Sequence, residues 1–173
     1  WPKPRIARAT EREIVAEHAT LGRFTLALEP GPDGTMPELL FTDNETNATR
    51  LFGAPNPEPY VKDGIDQAVV HGNAGAVTAQ RGSKLAGHAH TVLGPGASFS
   101  VAVRFCAEPH DDPFGDFAAV MALRASEADA FYAALHPPSL DAEERKVQRQ
   151  ALAGLLWTKQ FYHFDVYKWL LGD

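Results

Sequence analysis

The chain has 173 residues and a net charge of −6, with 45% hydrophobic and 22% charged residues, a length and balance suited to one domain or one domain with an extension. No Lys/Arg-rich run offsets the acidic balance, which argues against nucleic-acid and anionic-membrane partners, because their phosphates are repelled rather than neutralised. The single cysteine, Cys106, allows no internal disulfide and no Cys-based zinc cluster and fits a reducing, cytoplasmic location, and no run of about 18 apolar residues marks a membrane span.

Residues 1–106 read as β. In "RFTLALE" the apolar residues Phe24, Leu26 and Leu28 alternate, and in "SFSVAVRF" Phe99, Val101, Val103 and Phe105 do the same. A period of two in β-branched and aromatic residues predicts half-buried strands. "LGPGAS" carries Gly94-Pro95-Gly96, a tight reversal, so "AGHAHTV" and "SFSVAVRF" are expected to pair as a hairpin. Further turns fall at "EPGPDGTMP" and "GAPNPEP". Antiparallel strands joined by Gly/Pro turns predict a β-sandwich.

The centre, Phe41 to Gly82, has little periodicity and is dense in Asn, Asp, Gly and Pro. Long irregular loops on a rigid scaffold are where binding and catalytic groups tend to sit. "DNETN" reads either as a polar loop that shapes a pocket through Asn44 and Glu45, or as a cluster of Asx turns that serves only the backbone. In "YVKDG" Tyr60, Lys62 and Asp63 read either as an interdomain or outer sugar contact or, as the expectation taken here, as a surface turn closed by Gly64 with Lys62 and Asp63 solvated. Asn44-Glu45-Thr46 and Asn47-Ala48-Thr49 match the glycosylation sequon, which reads as coincidence in a cytoplasmic chain. His71 reads as a satisfied loop histidine, with a pocket group as the alternative. His88 and His90 share a strand face, but a metal needs a third ligand, and no metal site is assigned. Cys106 reads as a small buried hydrophobe. No nucleotide, redox or nucleophile-elbow motif is present, and no cofactor is assigned.

"AEPHDDP" (107–113) reads as a linker. From Asp116 the apolar stripe Phe117, Val120, Met121, Ala128, Phe131, Tyr132 and Leu135 predicts a helix, which Pro137-Pro138 ends. A second helix is expected from Ser139 or Asp141, where Asp141 and Glu144 have capping-box spacing. It leads into "GLLWTKQFYHFDVYKWLLGD", where six aromatics fall between Trp157 and Trp169. Taken as helix, 150–170 is apolar on nearly all sides, and such a helix must be buried all round. It therefore predicts further protein around it, from partner chains or from the same chain. Its aromatics stand among Lys159, Gln160, His163 and Asp165, a mixture that suits either a core helix with an amphipathic rim or a sugar site. In a sugar site, rings stack on Trp or Tyr and hydroxyls take directed hydrogen bonds.

Three long stretches, "LLFTDNETNATRLFGAPNPEPYVKDGIDQAVVHG", "PFGDFAAVMALRASEADAFYAAL" and "ALAGLLWTKQFYHFDVYKWL", resemble bacterial proteins related to glycoside hydrolase family 63, and the resemblance covers nearly all 173 residues. The resemblance implies an N-terminal β-sandwich, helical linkers and a catalytic (α/α)6 barrel, with inverting hydrolysis of α-glucosides by two carboxyl groups. Under it, 1–106 is an incomplete antiparallel sandwich, 107–138 linker and helix, and 139–173 a helix leading into the barrel, for an α+β chain overall. The chain becomes an interior piece, its catalytic carboxylates lie outside it, and its partners are a carbohydrate and the rest of the barrel. The residues expected to face sugar are Asn44, Glu45, Trp157, Lys159, Gln160, Tyr162, His163 and Asp165.

Overall fold

The computed structural model describes residues 2–108, 110–158 and 165–172. The fold is α+β, with antiparallel sheets followed by helices. It divides into two compact units, 1–116 and 117–173.

In the first unit, β1 (Arg5–Arg8), β2 (Glu13–His18) and β3 (Gly22–Leu28) form a meander. Both of its turns are written in the sequence. The Thr10 hydroxyl accepts the Arg12 and Glu13 amides at 3.1 and 3.0 Å, a Ser/Thr turn. The β2–β3 loop has three residues and ends on Gly22 at φ 82°, where a left-handed residue closes such a loop. The Nδ1 of His18 accepts the Thr20 and Leu21 amides of that loop.

Then come β4 (Glu38–Thr42), α1 (Ala48–Phe52), α2 (Gly64–His71), β5 (Arg81–Gly82), β6 (Lys84–His88) and β7 (Val103–Cys106). The larger sheet has the order β5-β1-β2-β3-β7, and β4 pairs with β6 in a second sheet. The core joins Ile14 and Leu28 of the first sheet to Leu39 and Phe41 of the second, with Ile6, Leu26, Met36 and Leu85 packed against it. Leu26 and Leu28 thus lie on the core side, as the alternation requires, and Phe24 stacks on Phe105 at 5.1 Å.

The expected hairpin between "AGHAHTV" and "SFSVAVRF" does not form. The turn itself exists: the Ala97 amide donates to the Gly94 carbonyl at 3.1 Å, with Gly96 at φ 76°, as a Pro-Gly turn demands. The strands on either side go to different sheets. β6 takes the apolar run of β4 as partner, and β7 takes β3. Strand structure in "SFSVAVRF" is confined to Val103–Cys106. Phe99 packs on Gly31 instead, so closely that a Cβ there would lie 3.2 Å from the ring.

Residues 112–116, at the end of the expected linker and just after it, belong with the sheets. Asp112, Pro113 and Phe114 border a recess together with Ala27 of β3, and Arg104 pairs with Asp116.

The second unit holds α3 (Phe117–Leu135), α4 (Ala142–Trp157) and α5 (Val166–Leu171). Asp141 and Glu144 form the full capping box, each side chain accepting the other residue's backbone amide at 2.9 Å. Arg149 ties α4 to α3 by an ion pair with Asp129 and by lying over the Tyr132 ring. His136 bonds to Gln148. A continuous helix over 150–170 is not present: α4 ends at Trp157, and α5 starts afresh with Asp165 as its cap. The Asp165 carboxylate accepts the Lys168 amide at 3.3 Å, competing with the helical path through its own position.

Candidate functional site

The irregular centre is organised by one buried strand end. Phe41 and Thr42 have no exposed surface, and Thr42 brings β4 to the start of the "DNETN" loop. Two glycines press against that strand end. A Cβ on Gly82 would overlap the Thr42 carbonyl oxygen. One on Gly64 would overlap the Ala76 carbonyl oxygen and crowd the Thr42 methyl group. The Thr42 hydroxyl is fully buried and has no partner among the described residues, a costly arrangement for a polar atom.

After Thr42 the loop is pinned from both sides. The Asp43 amide donates to the Tyr60 carbonyl at 2.8 Å, and the Lys62 amide to the Glu45 carbonyl at 3.0 Å. The Ser83 hydroxyl accepts the Asn44 amide at 2.9 Å and donates to the Asp43 carboxylate at 3.0 Å. Two open recesses flank this loop and share Pro59 as a wall.

The first, about 430 Å³, is built on Asn47 and Asp63. The Asn47 carbonyl oxygen caps α1 by accepting the Arg50 amide at 3.0 Å and also accepts from Asn56 at 3.2 Å. Its amide nitrogen donates to both Asp63 oxygens, at 3.1 and 3.2 Å. Arg50 completes the cluster with a 3.0 Å ion pair to Asp63. Asp63 stands at the N-cap position of α2 without capping it, because its oxygens are taken by this network. The expectation of a solvated Asp63 is therefore corrected: its side chain is only 22% exposed, and its partners come from residues 13 to 16 positions earlier. Gln67, His71 and Asn73 line the outer part of the recess, with His71 3.9 Å from Asp66.

The second recess, about 540 Å³, is lined by Asp43, Glu58, Tyr60, Gln80, Arg5 and Arg81 among others. Lys3 pairs with Glu45 nearby. That hydrogen bond raises the Lys3 ammonium above its ordinary pKa, with further help from the charges of Glu45, Asp43 and Glu58.

Asn44 is exposed and enters this site through its backbone, while Glu45 is held by Lys3. Lining of the two recesses falls instead to their neighbours Asp43 and Asn47. In the second unit, Trp157 is 86% exposed at the end of α4 and Asp165 caps α5. Lys159, Gln160, Tyr162 and His163 lie outside the described residues. His88 stands 3.8 Å from Glu38, and with His90 it borders a smaller recess. Cys106 is half-buried, its sulfur 3.9 Å from the Thr25 carbonyl. Among the described residues no group of three or more His, Cys, Asp or Glu side chains could hold a metal ion, and no helix is long and apolar enough to cross a membrane.

Sequence reasoning missed the Asn47–Asp63 hub and the arginines of the second recess. One local signal was available: Asn47 followed by a short apolar turn and Gly53 is the cap-and-stop pattern of a helix, and Gly53 is left-handed at φ 66°.

No protein-family model and no solved structure matches the chain. The chain is 33% identical, over an alignment of 202 positions, to an uncharacterized protein of Saccharomyces cerevisiae, YMR196W. That alignment takes in 99% of this chain and 19% of the yeast protein, so the chain spans about a fifth of that relative's length.

Proposed function

We propose that the polypeptide carrying these residues is an inverting glycoside hydrolase similar to family 63, cytoplasmic, and active on an oligosaccharide or a small glucoside. In this reading residues 1–173 supply sugar contacts and a brace, while the acid and the base lie elsewhere in the polypeptide. The supporting observation is the second recess. It brings Tyr60 together with Asp43, Glu58, Arg5, Arg81 and Gln80, and an aromatic residue among directed polar groups is the mixture that a polyol needs. A second reading, a non-catalytic carbohydrate-binding or scaffold module, draws on the same recess.

The test is to assay the complete native gene product against α-glucosides and to follow the anomer released by proton NMR. Inversion predicts the β-anomer first, because water attacks the face opposite the leaving group. The 173-residue chain alone should release no sugar. Release of the α-anomer first, or no hydrolysis of any glucoside tried, sinks the inverting-enzyme reading. Saturable sugar binding without hydrolysis by the complete product selects the module reading instead.

A further inference from the structure

From the second recess we infer a site for an anionic saccharide, one bearing a carboxylate or a phosphate, held by Arg5 and Arg81; this rests on the carbohydrate reading above and names the class of sugar.

The two arginines come from neighbouring strands. Ala7 of β1 faces Arg81 of β5 in the antiparallel register, and Arg5 lies two residues before Ala7. Side chains two apart on a strand share a face, so Arg5 and Arg81 stand diagonally on one face, within reach of a common ligand group. Both border the recess. Neither guanidinium has a hydrogen-bond or ion-pair partner among the described residues, whereas Arg23, Arg50, Arg104, Arg124 and Arg149 all have carboxylate partners. Two unpaired guanidiniums border one recess in a chain of net charge −6.

Asp43 and Glu58 border the same recess but form no ion pair with either arginine among the described residues. Glu45, at its edge, is paired with Lys3. Asp43 accepts the Ser83 hydroxyl, and both Asp43 and Glu58 act on the Lys3 ammonium. With no ion pair from these carboxylates to Arg5 or Arg81 among the described residues, both guanidinium forks keep their donors at this recess. A planar fork matches a carboxylate or phosphate in bidentate fashion. Tyr60, Pro59 and Pro4 supply the less polar wall on which a pyranose ring packs.

The experiment titrates the chain, by calorimetry at low and at high salt, with methyl α-glucoside, glucuronate, glucose 6-phosphate and inorganic phosphate. The anionic sugars should bind about tenfold or more tighter than methyl α-glucoside, as charge-assisted bonds require, and the gap should shrink at high salt. The ratio of glucuronate to glucose 6-phosphate then tells which anion the site takes. Arg5→Gln with Arg81→Gln should bring the anionic sugars down to the neutral one. Both positions are exposed, so the fold should survive, and circular dichroism checks it. The more conservative pair Arg5→Lys and Arg81→Lys should keep the charge but lose most of the discrimination. Equal binding of neutral and anionic sugars overturns the inference and leaves the carbohydrate reading standing. An anionic preference that survives the double glutamine variant also overturns it, by placing the anion elsewhere. Inorganic phosphate binding as tightly as glucose 6-phosphate, with no binding of methyl α-glucoside, overturns the carbohydrate reading and the sugar part of the inference together.

Discussion

The two units of this chain spend their apolar residues differently. The first closes a core in which Ile14, Leu28, Leu39 and Phe41 touch across two sheets. The second carries a more apolar sequence, yet Tyr132 is the buried hydrophobe among its described residues, while Met121, Leu123, Phe131, Leu155 and Trp157 are at least half exposed. What holds the helices of the second unit is polar: a local capping box, and an Arg149–Asp129 pair and a cation over Tyr132 that join α4 to α3. Local terms place helix ends, but most helical stability in proteins comes from a buried face. The first unit is therefore the thermodynamically self-sufficient one, and the second depends on what covers its apolar surface.

The sharpest way to break that comparison is to truncate one side chain in each unit. Phe41→Ala removes the side chain with no exposed surface at the junction of the sheets and should cost about 3–5 kcal/mol. Leu155→Ala, at a position 75% exposed, should change stability by less than about 0.5 kcal/mol. Urea unfolding of both variants gives the two numbers. Equal losses would mean that the second unit is buried after all, and the contrast drawn here would fall.

What the sequence made legible follows the same division. Everything decided within a few residues was readable: the alternation of Phe24, Leu26 and Leu28, the Gly94–Gly96 reversal, the Asp141–Glu144 cap and the stop at Pro137. What was not readable depends on distant partners. The Gly-Pro-Gly turn announces that the chain reverses, but not which strands pair beyond it, and here β6 and β7 separate into different sheets. Asp63 looked like a surface residue because its hydrogen-bond partners Asn47 and Arg50 lie on the far side of a Pro-rich loop. Glu45 was singled out as a sugar-facing member of "DNETN", but the Lys3 that pairs with it lies far earlier in the chain. The α+β class was readable because composition and periodicity change together near residue 116, where the contacts also divide.

A smaller effect sharpens the comparison at the level of polar groups. Asp63→Ala leaves Asn47 and Arg50 without their shared acceptor in a half-buried cluster, and losses of this kind run to about 1–3 kcal/mol. Asp141→Ala removes an exposed cap, for which about 1 kcal/mol is typical. The first should be seen as a lower urea midpoint of the sheet unit. The second should be seen as lost helicity with the sheet amides still protected from hydrogen exchange. If Asp63→Ala cost no more than Asp141→Ala, the network around the first recess would be ornament on a fold set by the glycine contacts at Thr42.

The smallest effect is a pH dependence confined to the Gly31–Met36 loop. Asp33 accepts the Thr35 amide at 3.0 Å, and bonding to the Thr35 backbone and then to its hydroxyl holds the carboxyl below its ordinary value of 3.8. A group whose folded pKa is depressed contributes stability above its unfolded pKa and loses it as pH falls through the folded value. The melting temperature of the native chain should therefore exceed that of Asp33→Asn near neutral pH. The gap should stay constant down to about pH 4 and then close in stronger acid. Subtracting the variant removes every other titrating carboxylate from the comparison. Because Asp33 is fully exposed, solvent screening keeps the gap small. A gap that is absent at neutral pH, or that persists unchanged in acid, would show that the loop is held by Gly31–Phe99 packing and the backbone bonds between Gly31, Gly34 and Thr35 rather than by the carboxylate.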